Sequence, residues 1–315
     1  MPKPNILILE SIHPDGIELL KEDFNVIDGR YLDNNDLDIF LPLAKVVIIK
    51  SLSFIDDDFL SKAKALKVIA RAGTGVDNIN LVAAYEKGID VLTVPCGNSK
   101  SAAEFALLLI LFSIRRIKEV IEATERGDFR RHLYEGRQLN KLTIGIIGYG
   151  NVGKILSETL SCMGCKVLTW DILQPENLHS LPKNVHFTQC LDELLKESDV
   201  ISLHARLTDK SRNFLSYNEF KKMKKGVYIV NTARAELVDN NALIDSIDNG
   251  IVAGASVDVI SPEPNFELTS EKQEFSHPFL FHDKIFVTPH VGASTFDAQR
   301  AISMDLARQI LRANT

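Results

Sequence analysis

The sequence predicts an α/β fold of two domains, each with its own parallel sheet, one inserted into a discontinuous other. Three observations carry this expectation. Short β-branched runs alternate with helical runs along the chain, the pattern of parallel strands covered by helices on both faces. A glycine-rich turn, GIIGYGNVG at 145–153, opens nearly halfway along the 315 residues, although such a turn usually starts its domain. The last helix, 295–312, has no strand after it and is expected to pack back on the first domain.

In the first hundred residues NILILE, NVID, KVVIIK, KVIARAG and DVLTVP read as strands. Between them PDGIELLKED, DDDFLSKAKA and NLVAAYEKG read as helices, with Pro, Asp or Asn near their starts and Gly after the last. A long helical segment, 100–126, ends at Arg126-Gly127. The alternation then restarts with LTIGII, a helix over 151–164, KVLTWD, a helix over 191–198 and DVISLHA. It continues with a helix over 216–225, VYIVNTA, a helix over 240–249, IVAGASVDV and IFVTPHV, which completes the six strands of a dinucleotide-binding fold.

Hydrophobic content of 45%, charged content of 25% and a formal charge of −6 are those of a globular protein and argue against a nucleic-acid binder. The longest apolar stretch, 102–114, carries Glu104 and is too short to span a bilayer, so no membrane partner is expected. No basic, apolar leader opens the chain, which disfavours secretion. Cys162 and Cys165 form a C-x-x-C without a second pair, so they read as inert thiols, and neither a disulfide framework nor a metal is expected. A reducing cytoplasm fits this cysteine usage.

Gly148, Gly150 and Gly153 form G-x-G-x-x-G in its required setting, after a strand and at the mouth of a helix. The first permits the tight turn, the second lets backbone approach a pyrophosphate, and the third lets helix and strand pack. Asp171 closes the next strand, where a carboxylate hydrogen-bonds a ribose diol and repels a 2′-phosphate. No Arg follows in Ile172-Leu173-Gln174, so NAD is expected over NADP. The bland alternative makes Asp171 a cap on its own turn.

Three later strings, NTARAELVD (231–239), SVDVISPEP (256–264) and TPHVGAST (288–295), put Arg234, Asp258, Glu263 and His290 at strand ends that border a ligand crevice. Each has an ordinary reading: a surface Arg, a loop carboxylate between prolines, a satisfied histidine. Together they match the needs of 2-keto acid reduction. A fixed Arg binds the carboxylate and polarises the ketone, a His supplies the proton, and a carboxylate orients that His and favours its charged form.

These strings, with ARAGTGVDNIN at 70–80 and GNSKSAAEFA at 97–106, make the whole chain resemble the NAD-dependent D-2-hydroxyacid dehydrogenase family, and within it the D-3-phosphoglycerate dehydrogenases. The resemblance implies two Rossmann-like or flavodoxin-like domains: residues 1–98 and 293–315 for substrate, 99–292 for NAD. It implies Arg234, Glu263 and His290 as the catalytic set. It also implies cofactor contacts from Thr74, Asn151, Val152, Asp171, Ala205, Thr232, Ala233, Asp258 and the turn from His290 to Gly292. A homodimer joined through the NAD domains, with the 100–126 helix at the interface, is implied as well.

The chain departs from the family pattern at Ala235-Glu236, where Gly-Gly is usual, and at Arg206, where Pro is usual. The loop between Glu263 and His290 is longer than usual. For the substrate, Lys50 and Ser51 end the third strand, with Lys50 where an Arg is usual. The Gly73-Thr74-Gly75 turn, next to Ala72, offers backbone donors to a carboxylate. The resemblance makes Arg130 and Arg131 candidates to reach a neighbouring subunit's site, with ordinary surface charge as their alternative. These cations favour a doubly anionic substrate such as 3-phosphohydroxypyruvate, with a simple keto acid (pyruvate, glyoxylate) or a phosphono analogue as the alternative. An NAD-binding corepressor and a formate or phosphite oxidase are the competing readings on this fold.

Overall fold

The computed structural model describes residues 3–175, 177–264 and 274–313. The chain divides into two compact units, Met1–Asn98 with Ala293–Thr315 and Ser99–Gly292. The first contains β1 (Asn5–Ile8), α1 (Pro14–Lys21), β2 (Asn25–Asp28), α2 (Asn34–Phe40), β3 (Ala44–Ile49), α3 (Asp57–Lys62), β4 (Val68–Arg71), α4 (Leu81–Glu86) and β5 (Asp90–Thr93). Helix starts follow local chemistry: Asp56 accepts from the Phe59 amide and Asn80 from the Ala83 amide, each satisfying a donor the first turn leaves open. The five strands are parallel in the order β2-β1-β3-β4-β5, the flavodoxin-like order. Helix α2 is absent from the expected elements; NNDLDIF carries only three apolar residues, and the cap from Asp33 to the Asp36 amide helps set its start.

The second unit contains α5 (Ser99–Ile114), α6 (Ile117–Glu125), β6 (Thr143–Ile147), α7 (Asn151–Cys162), β7 (Lys166–Trp170), β8 (Val185–Phe187), α8 (Leu191–Glu197) and β9 (Val200–Leu203). It continues through α9 (Tyr217–Phe220), β10 (Val227–Asn231), α10 (Asn240–Asp248), β11 (Val252–Val257) and β12 (Ile285–Val287). Its seven parallel strands run β12-β11-β10-β9-β6-β7-β8, so consecutive order reverses between β6 and β9. Strand β8 is a seventh, unanticipated strand of three residues, too short for alternation to reveal. The expected 100–126 helix is broken at Arg116, which adopts a left-handed φ of 52°. Its guanidinium pairs with Glu119 and donates to the Leu133 carbonyl at 3.0 Å, tying the bend to the segment that follows.

Helix α11 (Phe296–Arg312) closes the chain within the first unit. Its Ile302, Leu306 and Ile310 are buried against Ile6, Ile8, Val46, Ile48 and Val68, one face of that sheet. The alternate residues Leu7, Val47, Ile49 and Ile69 pack on the other face with Leu60 and Ala84, as strand period requires. In the second unit Ile144 and Ile146 pack with α5 and α7, while Ile201, Leu203, Ile229 and Val257 form the opposite core. Among the described residues no helix is long and apolar enough to cross a membrane.

Candidate active site

The glycine turn lies at the end of β6, where strand order reverses and the carboxyl edge of the sheet opens. Gly148 has φ 99°, and a Cβ on it would overlap the His204–Ala205 peptide. A Cβ on Gly153 would overlap the Gly148 carbonyl oxygen, whereas one on Gly150 would meet nothing within 4 Å. Helix α7 begins after Gly150 with no side-chain cap, through Asn151 and Val152, so its first N–H groups suit an anion. Asp171 accepts from the Tyr149 amide at 2.7 Å and the Leu173 amide at 3.1 Å. It therefore caps its own turn and also braces the glycine turn.

Beside this edge, after β9, His204 pairs its ring Nε2 with the Ser202 hydroxyl at 2.8 Å and leads into Ala205. Burial holds the His204 imidazole down at about 4, so it is neutral near pH 7. After β10, the Thr232 hydroxyl is buried without a hydrogen-bond partner, and the Ala233 amide donates to the Asn231 side chain at 3.0 Å. The Asn231 amide in turn donates to the Arg234 carbonyl at 2.8 Å, and Arg234 Nη1 donates to the Ala233 carbonyl at 2.7 Å. Glu236, one of the two departures from the family pattern after Arg234, accepts from the Ser261 hydroxyl at 3.2 Å.

His290 and Glu263 come together with Nδ1 and Oε1 2.6 Å apart, their side chains 28% and 30% exposed. His290 has a left-handed φ of 54°, unusual for a residue with a Cβ and the kind of strain that clusters at functional sites. Asp258, only 1% exposed, holds that conformation. Its carboxylate accepts from the Thr288 hydroxyl at 2.6 Å and from the Val291 and Gly292 amides at 2.9 and 2.8 Å, while its carbonyl accepts from the His290 amide at 2.8 Å. Asp258, expected among the cofactor contacts, thus has its carboxylate committed to the 288–292 turn. The long loop expected here lies partly outside the described residues, at 265–273.

In the first unit the Lys50 ammonium donates to the Gln299 side chain at 2.8 Å. The amides of Lys50, Ser51, Leu52 and Ser53 all donate to one carboxylate, Glu10, 6% exposed. Burial alone would raise the Glu10 carboxyl, but the Ser53, Lys50 and Leu52 amides outweigh it and hold it below its ordinary value. The Gly73 amide, expected to receive a carboxylate, donates to the Arg71 carbonyl, and the neighbouring Ala72 amide to the Ile49 carbonyl, each at 2.8 Å. Thr74 Oγ1 sits 3.3 Å from Asn98 Oδ1. Arg131 is exposed, and its neighbour Arg130 pairs with Asp128 at 2.8 Å.

Residues 107–292 match the model of the D-isomer specific 2-hydroxyacid dehydrogenase NAD-binding domain. The chain belongs to the D-isomer specific 2-hydroxyacid dehydrogenase family. It is 34% identical to the hydroxypyruvate reductase of Thermotoga maritima, over 99% of each chain. It is also 34% identical to the D-3-phosphoglycerate dehydrogenase of Methanocaldococcus jannaschii, covering 97% of this chain and 56% of that one, little more than half its length. The D-lactate dehydrogenase of Aquifex aeolicus, solved with NAD and lactic acid, superposes with a TM-score of 0.85 at 28% identity, over 98% of this chain and 94% of that one.

The residues of the second unit fit the family's NAD. The close packing at Gly148 and Gly153, the open space at Gly150, the uncapped start of α7 and the unpartnered Thr232 hydroxyl all suit a bound dinucleotide. Among the described residues no His, Cys, Asp and Glu side chains gather as a metal site. Burial pushes the Cys165 thiol up to about 11, in keeping with an inert C-x-x-C. Sequence reasoning missed Glu10, Gln299 and His204. A lone acid after a first strand, an amide in a terminal helix and a His before a loop carry no spacing that marks them.

Proposed function

We propose that this dehydrogenase interconverts a three-carbon D-2-hydroxy acid and its 2-keto acid, with 3-phosphohydroxypyruvate the favoured keto acid. The observation that carries the chemistry is the 2.6 Å contact of His290 with Glu263 in a turn fixed by Asp258, in the same NAD-binding unit as Arg234. NAD, which the turn of Gly148, Gly150 and Gly153 would hold, would supply the hydride acceptor or donor for C2 of the substrate. Arg234 binds the substrate carboxylate and polarises the C2 carbonyl. Glu263 accepts from His290 Nδ1, which sets the tautomer and assigns proton delivery to Nε2. As the C2 oxygen gains charge in reduction, Nε2–H donates its proton; in oxidation the same nitrogen takes it back. Asp171 would hold the adenosine ribose diol, and Thr232 and Ala205 would be further contacts to the cofactor.

The first unit is the substrate-binding domain in this reading, with Lys50 and Ser51 at the C3 substituent and the turn through Ala72, Gly73 and Thr74 at the carboxylate. With the Gly73 amide committed, Thr74 and Gly75 are left to supply the backbone donors. A second reading, unphosphorylated hydroxypyruvate, has the support of the end-to-end match with the hydroxypyruvate reductase. The protein acts as a cytoplasmic homodimer joined through α5, α6 and the segment after them, with Arg131 near the partner's substrate. A panel of 2-keto acids assayed by NADH absorbance tests the function: fastest turnover with the phosphorylated acid supports it, and fastest turnover with hydroxypyruvate supports the second reading. NADH binding without turnover of any acid overturns both, leaving the corepressor role.

A further inference from the structure

The loop Lys50–Ser53 has no backbone donors to spare. All four of its amides end on the Glu10 carboxylate at 2.8–3.1 Å, and the Asn78 side chain donates to the Lys50 and Ser53 carbonyls at 3.0 and 2.6 Å. Any anion recognised here must be read by side chains, so the position of the Lys50 ammonium matters more than it would beside an open backbone nest. A lysine has a long, flexible stem and a point charge, and its aim must be supplied from outside. Gln299, in the first turn of α11, supplies it. Its Oε1 accepts from Lys50 Nζ at 2.8 Å, and its Nε2 donates to the Ala293 carbonyl at 3.3 Å. That second bond fixes the amide's orientation, with oxygen toward the ammonium, and anchors it where the chain returns to the first unit.

We propose that Gln299 is a specificity-determining positioning residue: it aims the Lys50 ammonium at the anionic C3 substituent of the substrate. The assignment rests on the substrate reading above. A neutral acceptor suits this work, because it orients the ammonium without cancelling its charge, whereas a carboxylate in its place would compete with the substrate's own anion. Gln299 touches neither the reacting carbon nor NAD in this reading, so it acts on substrate affinity and leaves the chemical step alone.

The test is steady-state kinetics of Gln299→Met and Gln299→Glu with NADH and two keto acids, 3-phosphohydroxypyruvate and hydroxypyruvate. Met keeps the length of the side chain and removes both hydrogen bonds. Gln299→Met is expected to raise KM for the phosphorylated acid about tenfold, the loss of one hydrogen bond to a charged group, with kcat changed less than about twofold. KM for hydroxypyruvate stays within about twofold, since it offers no second anion. Gln299→Glu raises KM for the phosphorylated acid further at low salt, and the excess shrinks as salt is added. Far-UV circular dichroism and the NADH Kd of each variant, both expected to match wild type, separate this from misfolding. Equal KM changes for both acids, no change for either, or a fall in kcat alone overturns the assignment while leaving the substrate reading intact. A wild type that turns over hydroxypyruvate but not the phosphorylated acid overturns both.

Discussion

Replacing Glu10 by Gln should destabilise the first unit by a large fraction of an ordinary domain's stability. In the wild type, Oε1 accepts from the Lys50 and Ser53 amides at 2.8 and 2.9 Å, and Oε2 from the Ser51 and Leu52 amides, both at 3.1 Å. Glutamine keeps one oxygen, which can serve two of these donors. The other two then face an NH2 group in a site only 6% exposed, with no water to replace the acceptor. Each stranded donor costs about 1–3 kcal/mol, so the variant loses roughly 2–6 kcal/mol against a typical total of about 5–15. Urea unfolding at pH 7, followed by far-UV circular dichroism, measures it. The pH dependence follows from the lowered Glu10 carboxyl. A carboxyl depressed in the folded state contributes stability that is present above its unfolded value, about 4.3, and is lost as pH falls through the folded value. Wild type should therefore converge on Glu10→Gln as pH drops below about 4. A difference under about 0.5 kcal/mol at pH 7, or one unchanged down to pH 3, would refute the reasoning.

His290→Ala should lower kcat by roughly 10²–10⁴-fold with NADH affinity unchanged; a loss smaller than tenfold would remove His290 from the proton transfer. Asp171→Ala should weaken NADH binding and narrow the preference for NAD over NADP. Because it also frees the Tyr149 amide, it should lower Tm, and an unchanged cofactor preference would leave Asp171 only its bracing role. His204, held down at about 4 against an ordinary 6.5, binds its proton in the unfolded chain before the folded one as pH falls. Stability should therefore decline from pH 6.5 to 4 by up to roughly 3 kcal/mol, and His204→Gln should flatten that decline in urea titrations. In Gly153→Ala the new Cβ overlaps the Gly148 carbonyl oxygen, so calorimetry with and without NADH should show a lower Tm and no stabilisation by the cofactor.

The parallel sheets were legible because buried strands such as KVVII and TIGII are dominated by β-branched residues, and the glycine turn has a spacing dictated by sterics. The His290–Glu263 pair was legible as chemistry, since residue type and strand-end position both point to it. What escaped depends on contacts distant in sequence. Glu10 acquires its role from a loop 40 residues later, and Gln299 from a lysine 249 residues earlier. The structural part played by Asp258 was equally hidden: three donors of the turn some 30 residues later converge on its carboxylate. Glu236 is a similar case: its contact with the Ser261 hydroxyl, 25 residues later, has no mark in the sequence.

The two sheets solve one electrostatic problem in different ways. A parallel sheet whose strand order reverses leaves backbone donors gathered beyond the carboxyl ends of two central strands, and such a cluster favours an anion. In the first unit the reversal falls between β1 and β3, and the chain fills it with Glu10, the second residue after β1, which takes the first four amides of the loop after β3. In the second unit the reversal falls between β6 and β9, and Gly150 stands there with open space where a side chain would be. Asp171 braces that turn from the side, through the Tyr149 amide, without covering the start of α7. An internal carboxylate closes one crevice and a missing Cβ opens the other. That difference explains why the glycine turn of the second unit is suited to a dinucleotide while the loop Lys50–Ser53 of the first keeps no amide for an anion.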